Sequence, residues 1–339
     1  MDTTLFENVP QLVSTGELPR WDRVEEVVRE AMSLCTGDHS GRVADYIPAL
    51  AGADPELFGI AVASSSGRMH DAGDAMHAFS IQSVSKMFAY ALAIDEHGHG
   101  LVRDIVGVNN TGLPFDSVMA LELNAGHPMN PMVNAGAIAT TALVAGETPE
   151  EKWETIRHGL SEFAGRELEV DDDVFRSEMA TNDRNRALAR LLVSYARLRS
   201  DADEMVEVYT RQCSLRVTAH DLAVMGATLA AGGTNPITGR RVVSEDVCRD
   251  ALAVVAANGL YERSGEWLFE IGLPAKSGVS GGIVAVAPGK GAVAAFSPRL
   301  DHAGNSVRAQ HAIGHLSRTL GMNLFASAPR ATSATPEDG

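Results

Sequence analysis

The chain has little lysine: of 28 basic residues in 339 only four are lysines, Lys86, Lys152, Lys276 and Lys290, and the rest are arginines. That bias fits the codon usage of a source genome better than a mechanism, but it makes the place of each lysine informative. Cysteine is as scarce. Cys35, Cys213 and Cys248 are odd in number and far apart, which argues against a disulfide framework or a zinc cluster and predicts buried free thiols. No apolar run is long enough to span a bilayer, and residues 1–20 lack a basic segment followed by an apolar core. A cytoplasmic protein is therefore expected. Positive charge is also short, 28 basic against 44 acidic residues and a net charge of -16, which would repel phosphate backbones and anionic lipid. Neither nucleic acid nor membrane is expected as a partner.

What is present reads as an ordered mixture of helices and strands. Val24, Val27, Val28 and Met32 recur at helical spacing over residues 21–34. Residues 57–64 and 68–73, around the turn Ser65-Ser66-Gly67, predict a hairpin. Residues 83–97 predict a helix stopped by Gly98 and Gly100. Helices then follow from near Val133, over 148–162, 186–199 and 204–213, over 218–231 capped by Thr218, and over 244–257 capped by Ser244. Strand character returns at 267–273, 282–287 and 292–297, with a turn at Pro288-Gly289-Lys290-Gly291, before a last helix over 304–320. Strands near both ends with helices between predict an α+β fold, a mainly antiparallel sheet flanked by helices. The expected division is a sheet subdomain over about 21–82 and 258–325 with an all-helical subdomain over about 83–257 inserted in it. Residues 1–20 are an extension, and 329–339, small, polar and Pro-containing, read as a disordered tail.

Two lysines stand in suggestive places. Ser83-Val84-Ser85-Lys86 sets a hydroxyl and an amine three residues apart, neighbours on a helix, and Lys276-Ser277-Gly278 opens a Gly-rich segment later in the chain. By chance about 0.3 Ser-x-x-Lys matches are expected here, so the first motif alone is weak and the ordered pair is stronger. A serine becomes a nucleophile when a base takes its proton, and Lys86 can be that base only if desolvation or a nearby cation such as Lys276 keeps it neutral. The plain alternative is a serine at a helix start and an exposed lysine. Backbone N–H groups at the helix start and at Val279 would serve an oxyanion, unless the Gly-rich run is only a turn. Asn130 and Asn134 precede or open a helix, as caps or as neutral partners of a substrate. Glu178 and Asn185 lie seven apart, two turns of a continuous helix, and a carboxylate beside amides suits an ammonium group, although a solvated surface glutamate is the simpler reading.

With these residues in order, the chain resembles the serine-dependent glutaminases, relatives of the serine β-lactamases and penicillin-binding proteins. The resemblance runs from residue 21 to 322 through Phe79-Ser80-Ile81-Gln82-Ser83-Val84-Ser85-Lys86, residues 130–138, Ser177-Glu178, Asp183-Arg184-Asn185, Gly232-Gly233, Pro236-Ile237-Thr238-Gly239, residues 272–279 and Gly304-Asn305-Ser306-Val307. It implies a serine β-lactamase or transpeptidase-like fold and hydrolysis of L-glutamine to L-glutamate and ammonia. It makes Ser83 the nucleophile of a γ-glutamyl ester, with Lys86 handling its proton. Tyr261 shares that work as phenolate or relay, and which of the two is the base stays open. Tyr46, Asn134, Glu178, Asn185, Tyr209, Tyr261 and Val279 match the positions that hold substrate, Glu178 toward the α-ammonium and Val279 through its backbone. Lys276, Ser277 and Gly278 support them. No metal or organic cofactor is implied, and a homodimer or homotetramer is.

Three other readings were open to the same residues. A β-lactamase or transpeptidase shares the serine and lysine logic, but the Ser-Asp-Asn motif is missing and Asn134-Ala135-Gly136 stands in that region. A metal hydrolase would use His311 and His315, four apart, but Ala312 replaces the glutamate base, and two helix-surface histidines are the expectation. A non-catalytic scaffold would show erosion at Ser83, Lys86 or Tyr261, and none is visible.

Overall fold

A computed structural model describes residues 16–327. The extension over 1–20 lies mostly, and the tail over 329–339 wholly, outside the described residues. Among the described residues seven strands form, β1 Gly59–Ser64, β2 Met69–Gly73, β3 Phe79–Ser80, β4 Arg216–Val217, β5 Ala275–Ser277, β6 Gly282–Ala287 and β7 Gly291–Phe296. Five of them make one antiparallel sheet in the order β2-β1-β7-β6-β5, while β3 and β4 pair separately. The sheet is thus assembled from both ends of the chain, β1 lying on β7 from Gly59 opposite Phe296 to Ser64 opposite Gly291.

The central strands are buried along their whole length because both faces are covered. Alternate residues go to different cores, as a period of two requires. Ile60, Val62, Ile283, Ala285, Val293 and Ala295 meet the helices Trp21–Cys35 and Val307–Thr319. Ala61, Ala63, Val284, Val286, Ala292 and Ala294 face the larger core that continues into the helical region. Helix Ala219–Ala230 closes that face, although it lies in the stretch expected to be a separate helical subdomain. Its Gly226 permits the contact, since a Cβ there would stand 2.7 Å from the Ala292 Cβ.

Most expected elements stand within a few residues. Thr218 caps its helix and exchanges bonds with Asp221 in a capping box, and Ser244 caps Glu245–Asn258. Gly98, at φ 79°, ends Ser85–His97, but Gly100 lies inside the next helix, His99–Val106. The strand expected over 267–273 is wrong: those residues open as helix Ser264–Glu270, and the strand begins at Ala275. Trp267 and Ile271, four apart, are the buried pair while Phe269 is 84% exposed, which is helical and not alternating burial. The Trp267 Nε1 then donates to Leu273 O at 2.8 Å and turns the chain into β5.

The histidines also differ from expectation. His311 and His315 lie on the inner side of the last helix, 3% and 6% exposed, and each meets a carboxylate, His311 Nδ1 at 3.1 Å from Asp38 and His315 Nε2 at 3.5 Å from Glu30. The three cysteines are buried free thiols.

Candidate active site

Ser83 sits in a turn of 3-10 helix, Gln82–Val84, that leads into helix Ser85–His97, and both Ser83 and Lys86 are buried. The turn is entered through Gln82 at φ 52°, a left-handed conformation that a residue with a Cβ adopts at a cost of about 1–3 kcal/mol. It aims the serine at the end of β5, which closes on it from the other side. A Cβ on Gly278 would lie 2.9 Å from Ile81 O and 3.2 Å from Val84 Cγ2, so glycine is what lets strand and turn approach. Beyond it the Val279 N–H has no bonded acceptor among the described residues.

The Ser83 hydroxyl is hydrogen-bonded to Tyr261, whose own hydroxyl donates to Ser277 O at 3.1 Å. Burial holds the phenol proton on and pushes its pKa up. The phenol is therefore held neutral, and of the two forms left open the phenolate is disfavoured. Its backbone, at φ 54°, is the second strained non-glycine residue of the site.

Lys86 donates to Met132 O at 3.0 Å and to Asn134 Oδ1 at 2.7 Å. Complete desolvation brings its pKa down to about 8. A neutral amine has two N–H donors and one lone pair; the two acceptors occupy both donors, and the lone pair is left for a proton. The expected cation beside it is not Lys276. That side chain, fully buried, is itself driven well below the ordinary lysine value by desolvation and then by Lys86, whereas the lowering at Lys86 comes from its own desolvation. Lys276 instead lies 4.5 Å from the Tyr261 ring and donates to Ser277 O at 2.7 Å, the carbonyl that Tyr261 also uses, and to Gly259 O at 3.0 Å. The Ser277 hydroxyl is buried without a hydrogen-bond partner among the described residues.

The amides continue the network, Asn134 Nδ2 donating to Asn185 Oδ1 at 2.8 Å. Asn130 caps no helix; its Oδ1 accepts from the Met132 and Val133 N–H groups and shapes the loop that presents Met132 O to Lys86. Glu178 and Asn185 are not on one helix, because the chain breaks at Asn182 between Asp172–Thr181 and Asp183–Ser194, yet both are half-buried and reach the same site. Burial raises Glu178 to about 7, partly offset by the hydrogen bond it accepts from Gln82 Nε2 at 2.6 Å. Tyr209 is buried with its ring 5.9 Å from Lys86, and Tyr46, 57% exposed, stands at the mouth. Gln82 and Phe115 were not singled out from the sequence. Phe115 packs 4.9 Å from the Tyr261 ring and 5.9 Å from Lys86 Nζ, and no local pattern marks it. Gln82 stood in the motif beside Ser83, but neither its φ nor its bond to a residue 96 positions away leaves a local trace.

An antiparallel sheet between helices, with Ser-x-x-Lys at the head of a buried helix and Lys-Ser-Gly on the facing strand, defines the serine β-lactamase-like class. Within that class the glutaminase family model matches residues 41–325, and the chain belongs to the glutaminase family. It is 51% identical over 317 residues to glutaminase 2 of Yersinia pestis, covering 94% of this chain and 93% of that one. The glutaminase of Mycobacterium marinum is 50% identical over 89% of this chain and 95% of its own. Among solved structures, the probable glutaminase ybaS superposes with a TM-score of 0.89 at 45% identity, over 90% of this chain and 98% of that one. Mglu in its glutamate form gives 0.84 at 42% identity, over 92% of this chain and 71% of that one.

Proposed function

We propose that this chain hydrolyses L-glutamine to L-glutamate and ammonia through a γ-glutamyl ester on Ser83. The observation that carries the reading is the pairing of a Ser83 hydroxyl bonded to a neutral Tyr261 phenol with a buried Lys86 whose two N–H donors are already occupied. Ser83 Oγ attacks the side-chain amide carbon as its proton passes through Tyr261 and Lys86 to the leaving nitrogen. The oxyanion meets the N–H groups of Ser83 and Val279, ammonia leaves, and water attacks the ester by the reverse proton path. Glu178 holds the α-ammonium, with Asn134, Asn185, Tyr46 and Tyr209 around the rest of the amino acid. Lys276, Ser277 and Gly278 hold Tyr261 and the oxyanion strand in register. Asparagine is shorter by one methylene, so its amide stops short of Ser83 when Glu178 holds the other end, and glutamine is the preferred substrate.

Three buried reduced thiols suit the cytoplasm. Among the described residues no helix is long and apolar enough to cross a membrane. Phe269, Leu324 and Phe325, 84%, 41% and 66% exposed, suit burial against a second copy in a homodimer or homotetramer, which sedimentation would show.

The deciding test is ammonia release from L-glutamine by the wild type and by Ser83→Ala, beside a chromogenic β-lactam. Ammonia from the first only, with the β-lactam intact, is expected. An opened β-lactam with untouched glutamine would place the chemistry in another branch of the class.

A further inference from the structure

Tyr261 keeps a backbone conformation that few residues with a side chain adopt. Its φ of 54° is left-handed, an outlier for a bulky residue, and such a conformation persists only where its surroundings over-determine it. Part of the support comes from β5. Gly259 O accepts from Lys276 Nζ at 3.0 Å and from the Ser277 N–H at 3.2 Å, an approach that glycine permits because a Cβ on Gly259 would collide with Ala275 O. Leu260 O accepts from the Arg263 N–H at 3.1 Å and from Asn305 Nδ2 at 3.4 Å. The bonds that close on Tyr261 itself come from Ser264, three residues on and 5% exposed. Its Oγ accepts from the Leu260 N–H at 3.0 Å and donates to Tyr261 O at 2.8 Å, and its N–H also donates to Tyr261 O. The torsions between Leu260 N and Tyr261 O include both φ and ψ of Tyr261, so this one hydroxyl closes a ring around the strained residue. A serine at a helix start commonly bonds the N–H groups of its own helix. Here the N-cap of helix Ser264–Glu270 makes no side-chain bond, and the Ser264 hydroxyl turns back to the residues before it.

We infer that Ser264 is a positioning residue for the reaction, its hydroxyl fixing the left-handed Tyr261 backbone and thereby the place of the phenol oxygen between Ser83 and Ser277 O. The inference rests on the reading above in which Tyr261 passes the Ser83 proton. The phenol oxygen lies at the far end of a rigid ring, so a relaxation of φ toward ordinary values swings it out of line, and a displacement of about 1 Å costs up to about 10²-fold in rate. Glu178, Asn134 and Asn185, which hold the rest of the amino acid, stand on other elements, so the loss falls on kcat. Ser264 also borders a cavity of about 270 Å³ together with Tyr261, Asn258 and Gly265, which leaves room for the extra methyl of a threonine.

The test measures kcat and KM for L-glutamine by ammonia release in the wild type, Ser264→Ala and Ser264→Thr, and repeats the alanine change in a Tyr261→Phe background. Ser264→Ala should lower kcat about tenfold and leave KM within about twofold. Ser264→Thr keeps the hydroxyl and should stay within about threefold of the wild type. With the phenol oxygen already removed, Ser264→Ala should cost less than about twofold more, because nothing is left for the serine to position. Where circular dichroism shows that Ser264→Ala does not fold, Ser264→Cys, close in volume and only a weak donor, takes its place in the same cycle. An equal loss in both backgrounds, a loss confined to KM, a kcat indifferent to alanine, or a threonine variant as slow as the alanine one would each overturn the inference and leave hydrolysis standing. A wild type that releases no ammonia would instead sink the hydrolytic reading beneath it.

Discussion

One helix, Asn134–Leu143, binds a buried lysine at each end, and the two lysines behave differently. At its start Lys86 donates to Met132 O and Asn134 Oδ1; past its end Lys152 donates to Ala142 O at 2.9 Å and Val144 O at 2.7 Å. Both pKa values are lowered by desolvation. The helix dipole separates them, because a cation is favoured beside C-terminal carbonyls and disfavoured near an N-terminus. Lys86 meets this second condition twice, since it also lies in the first turn of its own helix. On the proposed mechanism, burial at the positive ends of two helices is what suits Lys86 to act as the base, while Lys152 at the other end donates to the last carbonyls of the helix.

The contrast can be broken most directly at Lys86. Lys86→Met should lower kcat by about 10³-fold with the fold intact, read by ammonia release and circular dichroism. Tyr261→Phe keeps the ring against Phe115 and Lys276 but removes the oxygen that Ser83 meets, and should cost about 10²-fold.

The pH profile sharpens the comparison further. With Lys86 at about 8 and Glu178 at about 7, productive free enzyme needs a neutral amine and an ionised carboxylate. The logarithm of kcat/KM should rise with a slope near 2 below about 7 and near 1 from about 7 to 8, then level. Glu178→Gln should raise KM and leave only the limb near 8. For stability the sign at Lys86 is the opposite of a salt-bridged lysine: between about 8 and the ordinary 10.5 the unfolded chain binds the extra proton, so this group makes the fold more stable as pH rises through that window. Gln82→Ala, which frees the Glu178 carboxylate from its donor, should raise KM about tenfold with a smaller change in kcat. Lys152→Met should leave kcat/KM unchanged and lower unfolding free energy by about 2 kcal/mol in a denaturant titration, because two buried carbonyls lose their donor. Loss of activity in this last variant would remove the distinction between the two ends of the helix.

Much of the site was legible because its signals are local. Ser83 and Lys86 three apart, Lys276-Ser277-Gly278 before a Gly-rich run, and the caps Thr218 and Ser244 are all readable within a few residues. The misreadings have a common cause. Residues 267–273 look like a strand by composition, and become helix because Trp267 and Ile271 share one buried face and the Trp267 indole reaches Leu273 O. His311 and His315 look like surface residues until the first helix and the loop at Asp38 pack over them. Glu178 and Asn185 converge on the site although the helix that would have linked them is broken at Asn182.

By itself the sequence determined which groups are available: a hydroxyl and an amine at helical spacing, a second lysine on a strand, and amides and a carboxylate in the helical region, within an acidic chain carrying almost no lysine to spare. The tertiary structure alone decided their states. It made Lys86 and Lys276 weak acceptors of protons by removing water, bent Gln82 and Tyr261 into left-handed backbone, and set Gln82 on Glu178 from 96 residues away. Charge state and strain depend on what surrounds a residue in space, and desolvation is a sum over neighbours that no short window of the chain contains.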